Sequence, residues 1–138
     1  MEDYIQKMKL PSDLLDYYNG RSVLVFGGAG AIGSNLSIAL SKLVGKEGKI
    51  LILDNLSSIK KPEPWNVVSM ENVHFVKGDI RNDKDLKRVF RETPSIVFNL
   101  AAFFANQNSI DYPETSADVD VIGMIKTLEY SVLSKVEK

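Results

Sequence analysis

The 138-residue sequence contains no cysteine, which excludes disulfides, a thiol nucleophile and any thiolate metal site. Its one histidine, His74, leaves no histidine-rich metal cluster to consider. Neither sign of charge is in excess: 17 Lys and Arg stand against 18 Asp and Glu, for a net charge of −1. Without a basic surplus to neutralise a phosphate backbone, nucleic acid is not an expected partner. No apolar run approaches the roughly 20 residues a membrane helix needs, and no signal peptide is visible, so no membrane partner is expected and a reducing cytoplasm is the expected location. Internal repeats and low-complexity segments are also missing. What remains is a globular composition, 44% hydrophobic and 25% charged, in a chain long enough to bury one real core.

One stretch organises that chain. Val23-Leu24-Val25-Phe26 is an apolar, β-branched run that stops at Gly27-Gly28-Ala29-Gly30-Ala31-Ile32-Gly33 and leads into a helical pattern. This reads as a strand, a tight turn and a helix start. Gly28-x-Gly30-x-x-Gly33 fits the dinucleotide-binding fingerprint, and Gly27-x-x-Gly30-x-x-Gly33 fits its short-chain dehydrogenase variant. The first turn needs backbone angles that a Cβ forbids, the middle glycine lets main chain approach a pyrophosphate, and Gly33 lets the helix pack against the strand. Unpaired N–H groups in the helix's first turn, backed by its dipole, would hold the phosphates. The next apolar run, Lys49-Ile50-Leu51-Ile52-Leu53, ends in Asp54, 21 residues beyond Gly33. An acid at the tip of the second strand can accept hydrogen bonds from a ribose and would repel a 2′-phosphate, which favours NAD over NADP. The competing reading is that Asp54 only opens the turn Asp54-Asn55-Leu56-Ser57-Ser58.

The other elements are read from pattern and punctuation. Residues 1–20 form an N-terminal helical extension, with a helix capped by Ser12 and ended by Gly20, and residues 21–138 form the binding domain. The helix after the glycines carries Ile32, Leu36, Leu40 and Leu43 on one face and stops at Gly45. Residues 59–72 are an irregular loop, with Pro62 and Pro64 blocking regular structure and Lys60 and Lys61 in solvent. A third strand covers 73–76, and His74 on it is structural or exposed, with no acid–base partner in sequence. Asn82 caps a helix with Asp83 and Asp85 in its first turn and Leu86, Val89 and Phe90 as its apolar face; Pro94 ends it. A fourth strand covers 95–102 and finishes in small residues that would let a ligand lie close. From Pro113 a long helix carries Val121, Ile125, Leu128, Val132 and Val136 as one stripe, for core or interface. The order strand-helix-strand-strand-helix-strand-helix predicts an α/β fold: a Rossmann-type doubly wound parallel sheet, strand order 3-2-1-4.

The motifs Gly27–Ser34, Asp54-Asn55-Leu56-Ser57-Ser58, Gly78-Asp79-Ile80-Arg81 and Val97-Phe98-Asn99-Leu100-Ala101-Ala102, with Val121-Ile122-Gly123, come in the order of one family. The chain resembles the N-terminal part of an extended short-chain dehydrogenase/reductase of the NAD-dependent sugar-nucleotide epimerase/dehydratase family, and Asp54–Ser57 looks most like UDP-glucose 4-epimerases. The resemblance implies a fold incomplete relative to the full family fold, with NAD as cofactor. It implies that Gly27, Gly30, Ala31, Ile32 and Gly33 hold the pyrophosphate, that Asp54 and Asn55 hold the adenosine ribose, and that Asp79 and Ile80 recognise adenine. Leu100, Ala101 and Ala102 would line the nicotinamide side.

Three positions depart from the family pattern. Ala31 stands for a common aromatic, Asn99 for a frequent histidine, and Asp120 for a frequent asparagine whose replacement adds negative charge near the cofactor. The family's Tyr-x-x-x-Lys pair is also missing: four residues beyond Tyr4, Tyr112 and Tyr130 stand Met8, Ser116 and Ser134. That pair would lower the tyrosine's pKa for proton transfer, so no catalytic residue is assigned here, nor any metal site.

The expectation is the NAD-binding portion of a sugar-nucleotide epimerase or dehydratase, whose parent reaction transiently oxidises a sugar hydroxyl. A nucleotide sugar would be a partner only in a complete enzyme. The alternative is a non-catalytic NAD-binding module acting through a partner, or half of a split enzyme. A free edge on the fourth strand and an exposed stripe would favour a homo-oligomer through the 114–137 helix or instability.

Overall fold

Four apolar runs pair into one sheet. In the computed structural model, which describes residues 11–58 and 67–138, they are β1 (Ser22–Phe26), β2 (Lys49–Asp54), β3 (Val73–Lys77) and β4 (Ile96–Asn99). The sheet order is β3-β2-β1-β4 and every pair is parallel, as the sequence predicts. Val25 sits beside Ile52 on one flank and Phe98 on the other. Strand β1 is apolar from Val23 to Phe26 because both its faces are covered. Alternation along the strands sends Val23, Val25, Ile50 and Ile52 to one core and Leu24, Phe26, Leu51 and Leu53 to the other. The readings of residues 1–10 and of Lys60, Lys61, Pro62 and Pro64 lie outside the described residues.

The helices are α1 (Ser12–Tyr18), α2 (Ala31–Val44), α3 (Asp83–Phe90), α4 (Asn106–Asp111), α5 (Pro113–Ala117) and α6 (Met124–Leu133). A π-helical turn, Asp118–Gly123, joins α5 to α6. None of the described helices is long and apolar enough to cross a membrane. Asn82 caps α3 as expected, its side chain accepting from Lys84 N–H at 2.9 Å. His74 is exposed on β3.

Several expectations are corrected. Ser12 does not cap α1; it lies inside the first turn, and the carbonyl of Pro11 starts the helix by accepting from Leu14 and Leu15. Helix α2 does stop at Gly45, but the face it buries is Gly33, Ser34, Ser37, Leu40, Ser41 and Val44, whereas Ile32 is 73% exposed. At Gly33, Ser34 and Ser37 the helix lies close to the sheet on small side chains; further along, Leu40 is buried as expected, and Leu36 and Leu43 pack against the same core, half-buried. Helix α3 ends before Pro94, tightening so that Glu92 and Thr93 N–H bond Val89 and Phe90 carbonyls three residues back. Strand β4 covers only Ile96–Asn99, because Asn99 Oδ1 takes the N–H of Ala101 and turns the chain away.

The long helix is broken into pieces, and its stripe faces outward. The π turn adds a residue to the repeat and rotates α6 relative to α5. Val119, Gly123, Thr127 and Tyr130 pack inward, and a Cβ on Gly123 would meet Ile80 Cδ1 at 2.6 Å. Val121, Ile125, Leu128 and Val132 are left exposed, and only Val136 of the expected stripe joins the core. Beyond α6, Glu137 N–H donates to Ser95 O and Val97 N–H to Lys138 O, so residues 137–138 run along the outer edge of β4.

Candidate functional site

From β1 the chain crosses over to β2 on one side, while β4 pairs on the other. Between those diverging paths, at the carboxyl ends of the strands, lies the place where open α/β sheets bind ligands. A cleft of about 500 Å³ opens there. All the residues singled out for the cofactor line it: Gly27, Gly30, Ala31, Ile32 and Gly33 from the turn, Asp54 and Asn55 from the tip of β2, Asp79 and Ile80 beyond β3, and Leu100, Ala101 and Ala102 beyond β4. Sequence reasoning did not assign Ser57, Ser58, Arg81, Phe103, Phe104, Thr115 or Val119, which share the lining. Arg81 stood at the end of a recognised motif and could have been found; Thr115 and Val119 carry no local signal.

The glycines are not equivalent. Gly27 has φ +72°, and a Cβ there would lie 2.6 Å from Leu100 C and Ala101 N. A Cβ on Gly33 would lie 2.2 Å from Gly27 O. The fold itself demands both. Gly30 has an ordinary φ of −72°, and among the described residues a Cβ on it would touch only Gly27 O, at 3.4 Å. Protein packing therefore does not require glycine at 30, but an open cleft does. Gly30 is also the N-terminal cap of α2 and offers no side chain to the helix's first N–H groups, which have no intrahelical acceptor. A cradle that a Cβ would fill, beneath free N–H groups, fits a pyrophosphate.

Asp54 does open the turn that follows it, and it also ties that turn to the glycines. Its Oδ1 accepts from Leu56 N–H at 2.7 Å, opening the turn, and its Oδ2 accepts from Ala29 N–H at 3.0 Å, tethering the glycine turn. Two donors leave about half of a carboxylate's four acceptor positions for a ligand. Asn55 Oδ1 takes the N–H of Ser57 at 2.9 Å, and its amide donates to Asp79 Oδ2 at 2.9 Å.

Asp79 is bound on every side. Arg81 Nε and Nη2 fork onto its two oxygens at 2.9 and 2.8 Å, and Arg81 N–H adds a third bond at 2.9 Å. The Arg81 guanidinium holds the Asp79 carboxyl well below the usual carboxylate range, against the opposing effect of burial. Hydrogen bonding to Asp79 raises Arg81's own pKa in turn. Arg81 also reaches Asp118 Oδ2 at 3.1 Å, and its carbonyl accepts from Lys126 Nζ at 2.8 Å. On the opposite side of the cleft, Asn99 donates to Thr127 Oγ1 at 3.0 Å, fixing the end of β4 to α6. The extra acid, Asp120, is engaged through both oxygens: Oδ1 takes Phe103 N–H at 2.7 Å and Oδ2 takes Ser116 Oγ at 3.0 Å. Its charge is thereby offset by two donors and aligned to hold residue 103.

Residues 24–138 match the family model described as GDP-mannose 4,6 dehydratase. A UDP-glucose 4-epimerase of Mycolicibacterium smegmatis is 34% identical over 116 residues, covering 83% of this chain and 36% of that protein. Among solved structures, the epimerase Mth375 of Methanothermobacter thermautotrophicus aligns with TM-score 0.81 and 51% identity over 90% of this chain and 35% of that one. The enzyme WbmF of Bordetella bronchiseptica, solved with NAD+ and UDP, aligns with TM-score 0.71 and 31% identity over 83% of this chain and 33% of that one. The chain spans about a third of the length of each of these relatives.

Proposed function

This chain belongs to the GDP-mannose 4,6 dehydratase family of sugar-nucleotide epimerases and dehydratases, and we propose that residues 21–138 are the NAD-binding part of such an enzyme. The observation that carries this reading is the convergence, at one switch-point cleft, of a glycine without a packing role and an acid with acceptor capacity to spare. NAD-bound relatives such as WbmF support the same ligand.

In this reading the N–H groups of Ala31 and Ile32 bind the pyrophosphate, and Gly30 lets it approach. Asp54 takes the adenosine ribose hydroxyls on its unused lone pairs, and its charge disfavours a 2′-phosphate. Adenine lies toward Asp79 and Ile80, and the nicotinamide toward Leu100, Ala101 and Ala102. Bound NAD would supply a hydride acceptor for a sugar hydroxyl. With no Tyr-x-x-x-Lys spacing in these residues, what this stretch contributes is binding and orientation, not proton transfer. Cytoplasm is the proposed compartment.

Calorimetric titration tests the reading: NAD is expected to bind, NADP at least about ten-fold more weakly, and Asp54→Ala to remove most of the affinity. No heat with millimolar NAD on folded protein would overturn it. The exposed faces of Val121, Ile125, Leu128 and Val132 support a second part of the proposal, association of two copies through the 114–137 segment. Sedimentation should then show a dimer that Leu128→Glu converts to monomer; a monomeric parent protein overturns it.

A further inference from the structure

The adenine end of the cleft holds a conflict that the NAD reading, on which this inference rests, has to resolve. With the ribose on Asp54, the base extends past the tip of β2 toward Asp79 and Ile80, both in the cleft wall. The exocyclic amine of adenine is a donor, and the Asp79 carboxylate is the acceptor that end of the cleft offers. That carboxylate has nothing left to accept with. Oδ1 takes Arg81 N–H and Nε, each at 2.9 Å, and Oδ2 takes Arg81 Nη2 at 2.8 Å and Asn55 Nδ2 at 2.9 Å. Four donors fill the roughly four lone-pair positions of an ionised carboxylate. An incoming amine must displace one of them.

The four donors differ in how firmly they are held. Three belong to Arg81, whose charged fork is bidentate and whose position is fixed again by Asp118 at 3.1 Å and by Lys126 on its carbonyl at 2.8 Å. The fourth is a single neutral amide, on Asn55, next to the ribose acid in sequence and in the same cleft wall. We propose that Asn55 is the displaceable donor: its amide leaves Asp79 when the adenine amine arrives and turns to the ribose, so base and ribose recognition are coupled through one hydrogen bond. Asn55 is then a specificity-determining residue by subtraction. While its amide occupies Asp79, adenine gains one hydrogen bond only by giving up another.

The test compares NAD with nicotinamide hypoxanthine dinucleotide, which carries a carbonyl in place of the adenine amine, by calorimetry. The proteins are the parent chain, Asn55→Ala and Asn55→Ser. The serine variant keeps an oxygen able to close the turn at Ser57 and so guards against misfolding of the alanine variant. In the parent chain the preference for NAD is expected to be about three-fold or less, because the bond is exchanged, not added. In both variants the preference is expected to rise to about ten-fold or more, as the vacated lone pair accepts the amine outright. A parent preference already above about ten-fold, or a ratio unchanged in a folded variant, overturns the inference while leaving NAD binding intact. Failure of the parent chain to bind NAD at all would instead strike the underlying reading and take this one with it.

Discussion

Asp54, the last residue of β2, and Asp79, two residues beyond the end of neighbouring β3, sit on the wall of one cleft. Their surroundings differ. Among the described residues Asp54 meets two main-chain N–H groups and no cation, whereas Asp79 meets four donors, two of them from one guanidinium. A carboxylate with open lone pairs is built to take a ligand, and one whose lone pairs are full is built to hold the wall in shape. The same carboxylate chemistry thus has acceptors free for a ligand in one case and, in the other, holds the wall and can take a ligand only in exchange for a donor it already has.

Four measurements put that contrast at risk. Asp79→Ala should cost most in stability, about 2–4 kcal/mol in urea unfolding, because it strands a half-buried guanidinium and deletes four hydrogen bonds. A loss no larger than that of Asp54→Ala would erase the distinction.

Arg81→Met should cost about 1–2 kcal/mol at pH 7, and the loss should depend on pH. Asp79's folded pKa lies below its unfolded value of about 3.9. The folded state therefore binds fewer protons, so the pair's contribution is complete above pH ~4 and fades as pH falls further, toward the folded value. The stability gap between parent and Arg81→Met should close on acidification; a gap constant from pH 7 to pH 3 would contradict the coupling.

Asp54→Ala should reduce stability by only about 1 kcal/mol, since solvent can replace the acceptor for Ala29 and Leu56, while NAD affinity falls at least about ten-fold. The smallest change in stability belongs to Gly30→Ala, within about 1 kcal/mol, the ordinary difference between glycine and alanine at a helix cap. Its NAD affinity should nevertheless collapse, because the new methyl group occupies the cradle. Retained affinity would mean the cleft does not bring a pyrophosphate onto that backbone.

Much of the site is legible without coordinates. The strands declare themselves as apolar runs, the glycine turn as spacing, and Asp54 as an acid at a set distance from it. Those signals are local: each depends on what a few consecutive residues can do with their backbone. On α2 the leucines are legible, with Leu40 buried and Leu36 and Leu43 against the core, but Ile32 is exposed and the first turns meet the sheet through Gly33, Ser34 and Ser37, where close approach selects small side chains. The stripe after Pro113 keeps one face, as read, but its pattern left open whether that face is core or exposed, and no residue in Asp118–Gly123 announces the π turn. Asp120, an uncompensated charge by sequence, is held by Phe103 N–H and the Ser116 hydroxyl.

Pattern along the chain was enough for the parallel sheet, its order, the tight turn and the acid at the strand tip, since hydrophobic period and glycine placement constrain the backbone directly. Which helix faces are buried, and how many donors each acid meets, became known only once the chain was folded. Those outcomes depend on distances between segments far apart in the chain, such as Asn55 to Asp79 and Arg81 to Asp118, and one-dimensional spacing carries no record of them.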